Sequence, residues 1–253
     1  MSLIRFLAPS CLAAVCVLTG CASNAPSQFD GKSADTLYGQ AAKQLKRADY
    51  HLALETLDAI ESRFPFGDIA DKSQLALIYA YYKNDDFEGA LAASDRFIQL
   101  HPRHPDVSYA YYMKALSSYE ASLTGMKRYL PIEHGSQEIA SIEQSFFDFA
   151  QFLERFPTSA YAPDAHQRMV YLRNVLADHQ LAAARYYDLK GAPIAAANRA
   201  ATVIESFDQT PALPEALYLL AGSYTKLGLE SLAEDTTFIL QSNYARSDWA
   251  QKD

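Results

Sequence analysis

The sequence predicts an all-α solenoid of about five helix–turn–helix units, and three observations carry that prediction. Glycine is scarce, 10 in 253 residues, and Asp30-Gly31 is the only Asn-Gly or Asp-Gly pair, so the tight turns of a mainly β chain are missing. One pattern at offsets 0, 4, 7 and 11, the spacing of a single helix face, recurs five times along the chain. In the first three copies the next residue is proline, which cannot continue a helix. The hydrophobic content of 49% is enough for a core, and disorder is excluded. A formal charge of −8 argues against a nucleic-acid partner, which calls for a basic face.

Residues 1–20 read as a signal segment. Arg5 gives it a positive start, and Leu12-Ala13-Ala14-Val15-Cys16-Val17-Leu18 forms the centre of an apolar stretch too short to span a bilayer. The stretch ends in Leu18-Thr19-Gly20-Cys21, which resembles the lipobox of bacterial lipoproteins. By that resemblance Cys21 becomes the new N-terminus as an N-palmitoyl, S-diacylglycerol cysteine, since a thiolate readily forms the thioether. Acyl chains in that number anchor a protein stably. A residue other than Asp after the cysteine, here Ala22, implies by the same resemblance the periplasmic face of the outer membrane. The alternative is an ordinary secretory signal with an incidental cysteine. All three cysteines lie in the first 21 residues, so the remainder can form no disulfide. Residues 21–34, small and polar after the cysteine, read as a lipidated tether.

From residue 35 to 253 the repeats follow, with approximate limits 35–66, 70–103, 106–158, 161–208 and 212–246. The second helix of each copy carries the recurring face: Ala53, Leu57, Ile60, Phe64; Ala90, Ser94, Phe97, His101; Ser145, Phe149, Phe152, Phe156; Ala196, Ala200, Val203, Phe207; Ala233, Thr237, Leu240, Tyr244. Pro65, Pro102 and Pro157 stop the first three, while Asp208 and Ala245 stand in that place in the others. The first helix of each copy centres on Ala41, Ile78, Ala115, Val170 and Ala221. This unit resembles the tetratricopeptide repeat, with a period near 34 residues. Here the copies step by 37, 55, 51 and 37 residues, so copies three and four carry insertions. Gly125, Pro131 and Gly135 make the third copy's insertion, residues 120–137, read as a loop with room for a short helix. The fourth copy's insertion has no breaker before Gly191 and is close to four helical turns. It predicts an elongated first helix from about 163 to 189.

Catalytic and metal motifs are absent. His101 and His104 flank Pro102 without the cysteines or paired carboxylates of a zinc set, and read as solvated turn residues. Asp85-Asp86 sits between two helices, an ordinary place for turn and cap residues. No phosphate loop, HExxH or GxSxG occurs. The expectation is a binding scaffold, not an enzyme, with neither cofactor nor metal.

Aromatic residues supply the candidate site. Tyr38, Tyr79, Tyr82, Tyr112 and Tyr119 fall on first helices, offset by one residue from the packing face. In tetratricopeptide folds that offset lines the concave groove; packing between repeats is the competing assignment. Tyrosine suits an extended peptide, because a rigid apolar ring carries a hydroxyl that can bond to backbone.

Specific strings then become recognisable. Arg63-Phe64-Pro65-Phe66-Gly67, Ile78-Tyr79-Ala80-Tyr81-Tyr82-Lys83-Asn84, Asp95-Arg96-Phe97-Ile98 and the pairs His101-Pro102 and His104-Pro105 come in order. Phe156-Pro157, Ser159, Tyr161 and Asn198-Arg199 follow. Together they resemble the BamD, or ComL, family of lipoproteins of the outer-membrane β-barrel assembly machinery, over about residues 35–245. The resemblance implies a scaffold that binds the POTRA region of BamA and the other Bam lipoproteins and docks unfolded outer-membrane β-barrel proteins through its N-terminal repeats. It also implies that Arg199 lies at the BamA contact, a role arginine often fills at interfaces. The insertion of copy three departs from the family, having Ile132-Glu133-His134-Gly135 where an Asp-Arg-rich stretch is expected. The alternative function is a periplasmic repeat lipoprotein serving cell-wall or division proteins.

Overall fold

Each recurring motif becomes the buried seam of a helix. The computed structural model describes residues 28–128 and 136–252. Among the described residues there are ten helices and no strand: α1 (Ala34–Lys46), α2 (Tyr50–Arg63), α3 (Asp68–Lys83), α4 (Phe87–Leu100), α5 (Val107–Arg128), α6 (Ser136–Arg155), α7 (Ala162–Leu189), α8 (Pro193–Ser206), α9 (Leu213–Lys226) and α10 (Glu230–Asn243). Cys21 and the signal segment lie outside the described residues.

At offsets 0, 4 and 7 nearly every residue is buried, from Ala53, Leu57 and Ile60 through Ser145, Phe149 and Phe152 to Ala233 and Leu240; Thr237 is half-buried. Buried Ser94 satisfies its hydroxyl within its own helix, Oγ donating to the carbonyl of Ala90 one turn earlier at 2.7 Å. The bulky residue at offset 11 is the helix C-cap in α2, α4, α8 and α10, its N–H donating to the carbonyl four residues earlier. Phe156 makes the same bond to Phe152. One sequence position thus ends the helix and turns a ring against the core. Phe97, Phe149 and Phe152 are fully buried, and each contributes about 1.5–3 kcal/mol relative to exposure.

The turns inside the hairpins are equally regular. Ala48, Asp85, Gly191 and Gly228 occupy the middle of three-residue turns in the first, second, fourth and fifth units, all with φ between 57° and 71°. Glycine adopts this left-handed conformation without strain, and Ala48 does not. Asp86 caps α4 by accepting from Gly89 N–H at 2.9 Å. A side chain at Gly89 would meet that carboxylate and the Tyr81 ring at 2.7 Å.

Two expectations change. The insertion of copy three was expected as a loop over 120–137, but α5 runs on to Arg128 and α6 begins at Ser136. Gly125 remains within α5, since one glycine costs a helix only about 1 kcal/mol. Residues 129–135, with Pro131 and Gly135, lie outside the described residues. The second correction concerns Val170, expected at a packing position and instead 50% exposed. Helix α7 has 28 residues and serves two cores. Ala165, Leu172 and Leu176 join the α5–α6 core, while Ala177, Leu181 and Ala184 join that of α8 and α9. Ala184 stands where the other hairpins have their small residue, twelve before Ala196, so the extra turns precede the packing position rather than follow it.

Candidate binding surface

Successive hairpins place α1, α3 and α5 side by side, and α7 beside α9. The offset tyrosines gather on the surface these first helices share. They do not form one uniform groove: Tyr38 and Tyr79 line an open cleft, and Tyr82, Tyr112 and Tyr119 build the wall beyond it.

The cleft has a volume of about 400 Å³. Helix α1 gives it Tyr38 and Leu45, α3 gives Lys72, Leu75, Ala76 and Tyr79, and Asp106, Tyr109 and Tyr161 complete it. The α3 residues recur at three and four positions, so one helical stripe supplies that side. Tyr79 is 39% exposed.

In the wall, Tyr112 stacks on Tyr161, with ring centres 4.6 Å apart and planes 12° apart, and Tyr109 meets Tyr161 at 5.9 Å. Tyr112 Oη donates to Asp164 Oδ2 at 2.8 Å, and Arg168 Nε donates to the same oxygen at 2.7 Å. Arg168 Nη1 lies 3.7 Å from Glu120 Oε1, and its guanidinium sits 4.7 Å over the Tyr119 ring. Tyr119 meets Tyr171 edge-on at 6.2 Å. Tyr82 faces the Glu120 carboxylate. Side chains from α3, α5 and α7 are therefore joined through a single arginine.

Burial, then Glu120, pushes the Tyr82 hydroxyl up to about 12. Burial likewise raises Tyr109, and burial together with Asp164 raises Tyr112. Burial works against the charge of Asp164, yet Arg168 and Tyr112 hold its carboxyl below the usual range. Tyr82 and Tyr112 are therefore neutral at neutral pH, with the Tyr112 proton spent on Asp164, and the hydroxyls that face the open cleft are those of Tyr38 and Tyr79.

Arg199 lies elsewhere, exposed on α8, with Nη1 donating to Gln180 Oε1 on α7 at 3.0 Å. With Tyr187, Ala195, Asn198 and Thr202 it lines a shallow depression of about 230 Å³. The same part of the chain exposes Tyr186, Leu189, Ile194, Leu232, Phe238 and Ile239.

Sequence reasoning missed Lys72, Tyr109, Tyr161, Asp164, Arg168 and Tyr171. Asp164 and Arg168 did carry a signal, an acid four residues before a base on a predicted helix. Tyr161 stands in one of the family-like strings, but it lies in a turn, where helical phase does not assign it to a groove. The histidines expected as solvated turn residues are half-buried instead. His101 bonds Gln74 Oε1 at 3.1 Å, and His101 and His104 lie 3.7 and 4.0 Å from Asp71, both against the Phe97 ring. Among the described residues, no group of three His, Cys, Asp or Glu side chains could hold a metal ion, and no helix is long and apolar enough to cross a membrane.

Stacked helical hairpins with an aromatic surface on their first helices define a tetratricopeptide-type scaffold. The profile of the YfiO family, described as outer membrane lipoprotein, matches residues 30–238, and the chain belongs to that family. It is 37% identical over 235 residues to the outer membrane protein assembly factor BamD of Neisseria meningitidis serogroup A, covering 91% of this chain and 88% of that protein. Against the Vibrio cholerae BamD it is 35% identical, covering 95% and 99%. Among solved structures, a tetratricopeptide-repeat protein of Thermus thermophilus aligns with TM-score 0.42 and 13% identity over 85% of this chain and 93% of that one. Membership in this family makes the chain a non-enzymatic scaffold associated with the outer membrane.

Proposed function

We propose that this protein is a lipid-anchored scaffold of outer-membrane β-barrel assembly, held at the periplasmic face through Cys21. Its N-terminal repeats dock an extended segment of an unfolded barrel protein. Its C-terminal repeats hold the BamA POTRA region and the other Bam lipoproteins. The observation that carries the reading is the gathering of Tyr38, Tyr79, Tyr82, Tyr112 and Tyr119 with Tyr109 and Tyr161 on one surface in a chain of this family. Extended chains leave backbone N–H and C=O groups unpaired, and neutral phenols on rigid rings can bond to them while covering apolar side chains.

The partner surface is assigned to the other half on different grounds. Arg199 is exposed beside a shallow depression, and exposed large apolar side chains accumulate on α7, α8 and α10. Such exposure in a folded chain marks contact surfaces.

The test is a mild-detergent pull-down from outer membranes, with the captured proteins identified by mass spectrometry. The native chain should recover a POTRA-containing barrel, and Arg199→Glu should recover much less while the chain keeps its helical content. Recovery of cell-wall or division proteins instead would overturn the reading. Replacing Cys21 with Ala should abolish palmitate incorporation and release the protein from the membrane fraction.

A further inference from the structure

We propose that one edge of the solenoid, formed by its first two inter-repeat turns, rests on the lipid surface. Phe66 and Leu100 enter the interface there, and Arg103 meets headgroup phosphates. This builds on the reading of Cys21 as the lipid anchor and names the face that the anchor turns to the bilayer.

Helix direction defines the edge. Neighbouring helices run antiparallel, so the start of α1, the turn from α2 to α3 and the turn from α4 to α5 lie at one end of the stack. Side-chain contacts hold these pieces together. Phe29 packs against the core of α1, α2 and α3, and Arg63 Nη2, at the end of α2, donates to Asp30 Oδ1 at 2.7 Å. His101, the C-cap of α4, has Nε2 3.1 Å from Gln74 Oε1 and 3.7 Å from Asp71 Oδ1, both on α3. Turns 64–67 and 101–106 therefore stand side by side.

Three observations point to lipid. First, Phe66 is 89% exposed and Leu100 59%. Phe64, in the same turn as Phe66, packs inward against the core. Leaving the Phe66 ring in water forgoes about 1.5–3 kcal/mol. The turn holds it out: Pro65 has a fixed φ, and Gly67, at φ 96°, accepts the N–H groups of Ala70 and Asp71 at 2.8 and 3.2 Å. Second, the anchor arrives at this edge. From Cys21 to Gln28 the chain advances seven residues, at most about 25 Å when fully extended, and the next two, Phe29 and Asp30, are fixed beside Arg63. Third, the two edges differ in chemistry. The opposite edge exposes Arg47, Asp49, Asn84, Asp85 and Asp86, whose carboxylates keep their hydration. On the near edge Arg103 is exposed, and no carboxylate among the described residues pairs with it. Large apolar side chains beside a free arginine suit the headgroup boundary, where the stem is buried and the charge meets phosphate. The turn from α6 to α7, farther from the anchor, exposes Pro157, Thr158 and Ala160 instead.

The experiment places the lipidated full chain in vesicles of phosphatidylethanolamine and phosphatidylglycerol. Phe66→Cys, Leu100→Cys or Asp85→Cys supplies a free thiol for an environment-sensitive dye, and circular dichroism checks that each variant keeps its helices. Dyes at 66 and 100 should shift to the blue, and lipids brominated in their acyl chains should quench them by about twofold, while the dye at 85 stays unquenched. Arg103→Glu should lessen the quenching at 100; an undiminished signal overturns the role of Arg103. A dye at 66 or 100 that stays in water on chains that float with the vesicles overturns the proposal and leaves the anchor reading standing. Equal quenching at 66 and 85 overturns the orientation. A chain that does not float with the vesicles overturns the anchor reading, and the proposal with it.

Discussion

The two ends of the solenoid are built from the same hairpin and finished differently. In the N-terminal half, up to the start of α7, tyrosines stand on the first helices and make a cleft and a wall. In the C-terminal half the core is alanine, leucine and valine: Ala177, Leu181, Ala184, Ala200, Val203 and Ala216. Several of its large apolar residues are left on the outside, with Leu189 at 86%, Phe238 at 70% and Ile194 at 64% exposure. Small interior residues let helices approach closely, and this half presents exposed apolar side chains around a shallow depression. The repeat thus fixes the frame, and what fills the positions beside the packing seam decides whether a hairpin lines a cleft or exposes an apolar face.

Helix α7 is where the two halves meet, since its first turns belong to one core and its last turns to the other. Core truncations on either side should therefore separate the functions. Phe149→Ala removes a fully buried ring from the N-terminal core and should cost about 3–5 kcal/mol, lowering the thermal midpoint and abolishing peptide docking. Leu181→Ala, 2% exposed in the C-terminal core, should cost about 2–5 kcal/mol. It should weaken partner capture while binding at the Tyr79 cleft survives. If both variants lose both activities together, the halves are not separable and the comparison fails.

Next in size is the link across the wall. Arg168→Ala leaves Asp164 and Glu120 without their common cation and uncovers the Tyr119 ring. Its side chain is about a quarter exposed, and a loss of about 1–2 kcal/mol is expected, read as a lower urea midpoint. Peptide affinity at the cleft should fall with it, because Tyr112 is aligned through Asp164. Smaller again, and opposite in sign, is Ala48→Gly. Ala48 sits at φ 60° where the fourth and fifth hairpins have glycine, so the change should raise stability by about 1 kcal/mol. The converse, Gly228→Ala, should lower it by a similar amount.

The smallest effect is one of pH. Asp164 has its carboxyl pKa lowered in the folded chain, so its contribution is complete above the ordinary value of 3.8 and is lost as pH falls through the lower folded value. Acid titration followed by tyrosine fluorescence should show the native chain losing its wall below pH 3.8, and Asp164→Asn should remove that step.

Most of the frame was legible in the sequence because a packing face repeats and a proline ends it. The offsets that picked out Ala53, Phe97 and Phe149 select buried residues in every hairpin. Legibility ended where local pattern stopped governing position. Val170 was misplaced because counting thirteen residues forward from Pro157 ignores extra turns that fall before the packing position. Gly125 suggested a loop although a long amphipathic helix outweighs one weak former. Within the site, helical phase found the tyrosines on first helices but not Tyr161, whose place depends on how α7 enters across α5. Lys72 went unnoticed because a lone lysine on a helix looks like any solvated charge until the walls around it are known.

The central claim is that the two halves hold different partners, and site-specific photocrosslinking in living cells tests it most directly. A probe at Tyr79 should capture unfolded outer-membrane barrel proteins during their synthesis, and a probe at Arg199 should capture a folded POTRA-containing barrel at all times. The same product at both positions, or unfolded barrels at Arg199 and none at Tyr79, would contradict the account.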